Sequence, residues 1–277
     1  MNPAMAGAGG VGRFVSAYRD QWAGRYKTIF ASYDQYMKKL KGGLGLNALL
    51  DYAGTLKTQR VELDYAYRHG FFEKGNIHVA ASAAYQNKHL DLVTNGFGPS
   101  GSFSKDYLDF SAGLLAYWKK FNVGVSVDHL TEPDESLIPG SSETKLPMQY
   151  TAHFSTQFGQ LPDESGKGKC FGAQGRYTAQ GPFSTLDLGV NAQLWRIQLG
   201  FSFSNGFAGS SDIFDADILT LRLGFRKGRF NVAYNFDLYS NRPSNGAYNQ
   251  GHEAVAGFEL FRKKMPEGFQ QLKPLAF

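Results

Sequence analysis

From Arg229 to Tyr239 the chain alternates: Phe230, Val232, Tyr234, Phe236 and Leu238 on one side, Arg229, Asn231, Ala233, Asn235 and Asp237 on the other. Successive side chains of a β-strand leave on opposite faces, so this segment carries one apolar and one polar face. The pattern recurs: Val61, Leu63, Tyr65 and Tyr67 oppose Arg60, Glu62, Asp64 and Arg68, and Leu219, Leu221, Leu223 and Phe225 oppose Thr220, Arg222, Gly224 and Arg226. Trp195, Ile197, Leu199, Phe201 and Phe203 likewise oppose Arg196, Gln198, Gly200 and Ser202. Charge stays on one face. A lipid-facing charge near the membrane midplane costs about 2–4 kcal/mol, which would keep it off these apolar rows.

Fourteen such segments are predicted, at 12–21, 26–36, 43–51, 58–69, 76–89, 107–118, 121–129, 148–158, 169–178, 183–193, 195–204, 214–226, 229–239 and 252–261. Their recurrence every roughly twenty residues matches a membrane-spanning strand of about 10 residues plus a connection. Tight turns at Lys119-Lys120, Trp195 and Lys227-Gly228 alternate with long polar loops at 91–106, 130–147, 205–213 and 240–251. That alternation separates an outer-membrane barrel from a soluble sandwich, although 158–168 is long for a periplasmic turn and 180–182 short for an outer loop. The predicted fold is all-β: a closed antiparallel transmembrane β-barrel of about 14 strands over residues 1–261, opening with a short segment 1–11. Residues 262–277, with Pro266 and Pro274, are expected to form a C-terminal periplasmic tail. An even strand number brings both ends to one side, and closure removes the sheet edges that lipid cannot satisfy.

Composition narrows this further. The 277 residues show no linker or compositional break, which predicts one domain. Mean hydropathy is negative and no stretch approaches the ~20 apolar residues of a spanning helix, which excludes a helical membrane protein. Fifteen Tyr, 23 Phe, three Trp and 33 Gly suit aromatic girdles and crowded lumen positions. The single Cys170 excludes an intramolecular disulfide. The net charge of +5 is dispersed, which argues against nucleic-acid binding and places the excess at the lumen and rims. No secretory leader precedes Asn2, so an outer-membrane protein with its signal peptide already removed is expected.

No catalytic, cofactor or metal site is expected. Asp128 and His129 are neighbours on a strand and should point apart, leaving His129 as an interfacial side chain; a hydrolase would need one of them to meet another acid at the outer rim. His69, His78, His89, His153 and His252 lack zinc spacing. The loop acids Asp134, Glu135, Asp163 and Glu164 lack the order of a calcium loop and read as solvated charge. The Gly-rich runs 7–12 and 42–45 lack a phosphate-loop ending and read as turns or close backbone contacts.

Function is therefore sought in the lumen and loops. Arg60, Glu62, Asp64, Arg68, Arg196, Arg222, Arg226, Asp237, Glu253 and Glu259 are the candidate lumen network, joined by Asp109, Arg176, Asp187 and Arg229. Mixed signs suit cross-linking or the holding of a plug or partner segment better than an ion-selective ring. Phe97, Phe103, Phe207, Ile213 and Tyr248 are candidate partner-binding side chains on outer loops.

Several blocks also resemble the PorP/SprF family: Asn2-Pro3-Ala4-Met5-Ala6-Gly7, Tyr18-Arg19-Asp20-Gln21-Trp22, Ser32-Tyr33-Asp34, Gly42-Gly43-Leu44-Gly45 and Asp51-Tyr52-Ala53-Gly54 in the first part. Val125-Ser126-Val127-Asp128-His129-Leu130, Leu146-Pro147-Met148-Gln149-Tyr150 and His252-Glu253 are similar to later blocks. The resemblance implies a non-enzymatic outer-membrane barrel of the type IX secretion system of Bacteroidota. It would bind a large adhesin-type cargo, through the cargo's C-terminal domain, and help to secrete it or anchor it at the cell surface, as in gliding motility. Implied partners are periplasmic or outer-membrane secretion and gliding components and outer-membrane lipids. The alternative is an outer-membrane channel for small or hydrophobic molecules.

Overall fold

Backbone amides in lipid must find partners within the protein, and a sheet meets this demand only by closing. A computed structural model, which describes residues 1–71, 75–92, 101–118, 120–137, 144–160, 168–208, 214–240 and 250–260, shows that closure. Its strands are β1 (Gly12–Gln21), β2 (Tyr26–Met37), β3 (Gly42–Ala53), β4 (Leu56–Phe71), β5 (Gly75–Leu92), β6 (Gly101–Trp118) and β7 (Phe121–Asp128). They continue as β8 (Gln149–Gly159), β9 (Lys169–Gln180), β10 (Phe183–Leu194), β11 (Ile197–Ala208), β12 (Phe214–Lys227), β13 (Phe230–Tyr239) and β14 (Gln250–Leu260). Each pairs antiparallel with the next, and β1 seals against β14 from Gly12↔Leu260 to Gln21↔Gly251.

The alternation reads directly as inside and outside. Leu63 is 62% exposed and Leu108 60%, whereas Asp109, the next residue, is fully buried. Leu221, Leu223 and Phe225 face outward, and Arg222 and Arg226 occupy the opposite, inward row. The interior is polar: His78, Asp109, Gln193 and Asp237 are among the most buried side chains. Among the described residues no helix is long and apolar enough to cross a membrane.

The strand set begins and finishes at one end, the near end; β7, β11 and β13 end at the far end, where β8, β12 and β14 begin. Three of the boundaries that differ from the sequence reading bear on candidate site residues or turns. Strand β6 starts at Gly101, because residues 101–106 stay in register with β5 from Leu92 to Asn87; Phe103 therefore lies in a strand, on the inward row, and not in a loop. Strand β11 runs to Ala208, its register shifting at Gly206 so that Phe207 meets Phe214; Phe207 is also a strand residue. Trp195 adopts a left-handed φ of 56° in a two-residue turn, so β11 begins only at Ile197. Phe97, Ile213, Tyr248 and the tail 262–277 lie outside the described residues.

A single charge on the outward row tests this orientation. Leu221→Arg should lower the unfolding free energy in lipid vesicles by about 2–4 kcal/mol, as measured by denaturant titration; a cost below about 0.5 kcal/mol, the usual surface value, would place Leu221 away from lipid.

Candidate functional site

The N-terminal segment is folded into the barrel. Pro3–Met5 form one 3₁₀ turn, with Asn2 as its cap and Ala4, Ala6 and Ala8 buried against Ala66, Ala80, Leu115 and Tyr117. Proline at the first position suits such a turn, since its missing N–H is not needed there. The Asn2 side chain fastens the segment. Its Oδ1 accepts the Ala4 amide at 2.9 Å, and its Nδ2 reaches the carbonyls of Leu114 at 3.0 Å and Val125 at 3.2 Å and the His153 Nε2 at 3.0 Å. A second fastening is His78. A carbonyl can only accept, so His78 Nδ1 donates to the Ala4 carbonyl at 2.8 Å, which leaves Nε2 to accept from the Tyr117 hydroxyl at 3.2 Å.

A third contact explains the Gly-rich runs. Gly7, at φ 67°, lies so close to β3 that a Cβ on Gly43 would sit 2.1 Å from the Ala6 carbonyl oxygen, and one on Gly7 would sit 2.6 Å from the Gly43 Cα. Gly113 and Gly124 give the same clearance to the Asn2 amide. The Gly7 amide donates to Asp34 at 3.0 Å, and Asp34 holds Arg13 of β1 at 2.8 Å. Residues Asn2, Pro3, Ala6, Gly7 and Asp34, together with 42–45, thus converge on one plug lying against β3 to β7.

The motif residues of β1 do something else. Arg19 pairs with Asp237 at 2.6 Å and Gln21 donates to the Tyr239 hydroxyl, bracing β1 to β13 across β14 at the far end. Trp22 packs edge-on against Tyr26 and Tyr239, whereas Tyr18 faces outward.

Nine of the ten candidate network residues line the lumen. Arg60 pairs with Glu62 at 2.9 Å and Asp109 at 3.3 Å. Asp64 accepts from Asn47, Arg68 donates to Asn76 and lies over the Tyr36 ring, and Arg226 meets Glu259 at 2.7 Å. Glu253 accepts from Asn235, with Arg222 on the neighbouring inward row. Arg196 is the exception. It and Arg229 fall in tight near-end turns and are exposed there, because each strand starts one or two residues later than its alternation suggests.

His129 also departs from expectation. The strand ends at Asp128, and a left-handed φ of 61° at His129 turns its ring inward to meet Asp109 at 2.7 Å. The acid that a hydrolase would require is thus present, but Asp109 is shared with Arg60 and Thr131, and among the described residues no hydroxyl meets His129 Nε2. The cluster straps a loop to the mouth. Beyond it Glu135 pairs with Lys88 at 2.6 Å and accepts from Tyr107, and Asp134 pairs with Lys105 at 2.9 Å. Lys105, then Ser136 and Thr144, hold the Asp134 carboxyl below the usual carboxylate range. Its contribution is complete above the ordinary value and is lost only as the pH falls below it. The neighbours' bonds to this loop were invisible in sequence, where only the bare Asp128-His129 pair signalled it.

Opposite the plug a cavity of 490 Å³ remains, bounded by Met5 and carrying Arg19, Arg176 and Arg222 against Asp187, Asp237 and Glu253. Arg176 and Asp187 pair at 2.8 Å. Three cations face three acids, so the space favours neither ion sign.

A family model described as "Type IX secretion system membrane protein PorP/SprF" matches residues 1–258. No curated protein matches. Among solved structures, the chain is similar to the Acinetobacter baumannii outer membrane protein Omp33, at 11% identity and TM-score 0.52, over 91% of this chain and 100% of that one. It is similar to the CymD monoaromatic hydrocarbon channel, at 11% identity and TM-score 0.54, over 94% and 90%. The Pseudomonas putida toluene transporter TodX is a third, at 11% identity and TM-score 0.51, over 93% and 91%. At such identities the likeness is one of fold.

Two substitutions examine the plug. Asn2→Ala removes bonds worth roughly 1 kcal/mol each, a total of about 2–4 kcal/mol, and Gly43→Val fills the space that Ala6 occupies. Both should make residues 1–8 susceptible to protease in the folded barrel; a segment as resistant as in the unaltered protein would show that it is held by something else. The strap, by contrast, should resist protease down to about pH 5 and loosen only in stronger acid; release at pH 5 would show that the Asp134 pair does not hold it.

Proposed function

The chain belongs to the PorP/SprF family of type IX secretion outer-membrane proteins, and from that premise we propose that it grips a secreted, adhesin-type cargo at its far end. That end is the outer one in this reading, because β7 and β13 end there and the longest stretches of sequence between strands, 129–148 and 240–249, follow them. The observation that carries the proposal is the strapped mouth. Asp109, Lys88 and Lys105 fix residues 129–136 across the inner rim, producing a rigid loop platform of the kind that recognition uses. The plug and the mixed-sign network occupy lumen space below it, which suits anchoring more than free passage. The cargo's C-terminal domain would seat on the mouth and upper lumen, and the near-end turns would face periplasmic secretion or gliding components. Lipids complete the contacts along the outward rows.

A second reading is a channel. The fold shared with CymD and TodX favours it. The remaining cavity, however, carries three arginines and three acids within a mixed lining, and placing an aromatic hydrocarbon against those charges would cost them their solvation.

Removing the protein from its own cells should reduce one surface adhesin by about tenfold or more, as quantified by shaving intact cells with protease and restored by re-expression. Unchanged surface display would contradict cargo anchoring. Conductance of the unaltered barrel in planar bilayers, with display unaffected, would favour the channel.

A further inference from the structure

The wall of the barrel is uneven at the far end. Strand β6 pairs with β5 along its whole length to Gly101, but with β7 only from Tyr117 to Ala112. On the β7 side, the chain's own loop supplies the next contacts: the Leu130 amide donates to the Phe110 carbonyl at 3.0 Å, and the Thr131 hydroxyl, its one proton shared between Asp109 at 3.3 Å and the Leu108 carbonyl at 3.4 Å, lies against Leu108. In an antiparallel strand the N–H and C=O of one residue leave on the same side, so Phe110 and Leu108 identify the even-numbered residues as those facing this edge. Asp106, Ser104 and Ser102 follow, with no backbone partner on that side among the described residues. They span roughly 14 Å at ~3.4 Å per residue, three rungs of a ladder without its second rail.

Exposed edges are usually blocked by a proline, a bulge or a charge directed at the incoming strand. Here the register from Ser102 to Asp106 is continuous and contains no proline. Lys105 turns inward to Asp134, and the Asp106 carboxylate is tied back to Tyr85 and Asn87, at 2.7 Å each. The side chains of Ser102, Ser104 and Asp106 are exposed and polar, in contrast to Leu108, Phe110 and Leu114 in the same row, so the open edge stands beyond the apolar band. Lipid does not cover it.

We propose that residues 102–106 of β6 form a β-augmentation site that accepts an extended segment of the secreted cargo as an additional strand. The inference rests on the cargo-anchoring reading and on the far end being the outer one. Three rungs need about five residues of partner, recognised chiefly through its main chain, so the segment is defined by its extended conformation more than by its side chains. A secreted polypeptide fits this place because the edge opens on the side from which periplasmic proteins and acyl chains are both excluded. Strand addition here continues the β6 ladder that β7 and the strap already begin.

Two measurements test it. In the purified wild-type barrel, hydrogen exchange by NMR should be fast at the amides of Ser102, Ser104 and Asp106 and slow at Phe103, Lys105 and Tyr107, which bond to β5. Slow exchange at the even positions would mean that the edge is already paired and would overturn the proposal. In cells, Ser104→Pro removes one edge donor and leaves the backbone bonds to β5 intact, losing besides it only the Asn87 to Ser104 side-chain bond; adhesin on shaved cells should fall by about tenfold, with heat-modifiable migration showing that the barrel is still closed. If deletion of the barrel abolishes display and Ser104→Pro does not, the edge is refuted and cargo anchoring stands. If deletion leaves display unchanged, both fall.

Discussion

Lipid offers a peptide group no hydrogen-bond partner, and this constraint organises the rest of the molecule. It demands that β14 return to β1, and the ten-residue seam between them satisfies the demand. It then inverts the usual distribution of side chains: Leu63 and Leu108 stand outside while Asp109 and Asp237 are buried within. An interior built from charges must pair them, and the lumen does so through Arg60 with Asp109, Arg19 with Asp237 and Arg226 with Glu259. These pairs cross from strand to strand and stiffen the wall that positions the mouth.

Closure also creates a space that small residues can fill. The plug approaches β3 to β7 as one backbone approaches another, which is possible only where Gly43, Gly113 and Gly124 leave room. Asn2 then exploits strand carbonyls that already serve the ladder, using their second lone pairs. Blocks separated by a hundred residues in sequence become one structure. The plug takes one side of the lumen, and a cavity carrying both signs of charge lies on the other.

Much of the fold was legible in sequence because a period of two is unmistakable when one row faces lipid. The fourteen strands and the inward row of Arg222 and Arg226 follow from it. The errors lie where the rows leave the membrane. Residues 101–106 continue to alternate, but with serines outside, which reads as a loop and misplaces Phe103; Phe207 follows Asn205-Gly206, a turn-like pair that the structure accommodates as a register shift within the strand. Arg196 and Arg229 were misassigned because parity persists into a tight turn whose residues no longer obey it. The left-handed His129 could not be read at all, since nothing in Asp128-His129-Leu130 announces a reversal that brings the ring to Asp109. The resemblance marked Asn2, Gly7 and Asp34 as a group, and only coordinates show that they touch one object.

The docked N-terminal segment ties the closed wall to the interior of the barrel, and it can be observed directly. In isotopically labelled barrel in lipid nanodiscs, NMR cross-peaks should connect the Asn2 side-chain amide with Gly113, Gly124 and the His153 ring, and the Ala4, Ala6 and Ala8 methyls with Tyr117 or Leu115. Random-coil shifts for residues 2–8, with the strand resonances intact, would contradict it.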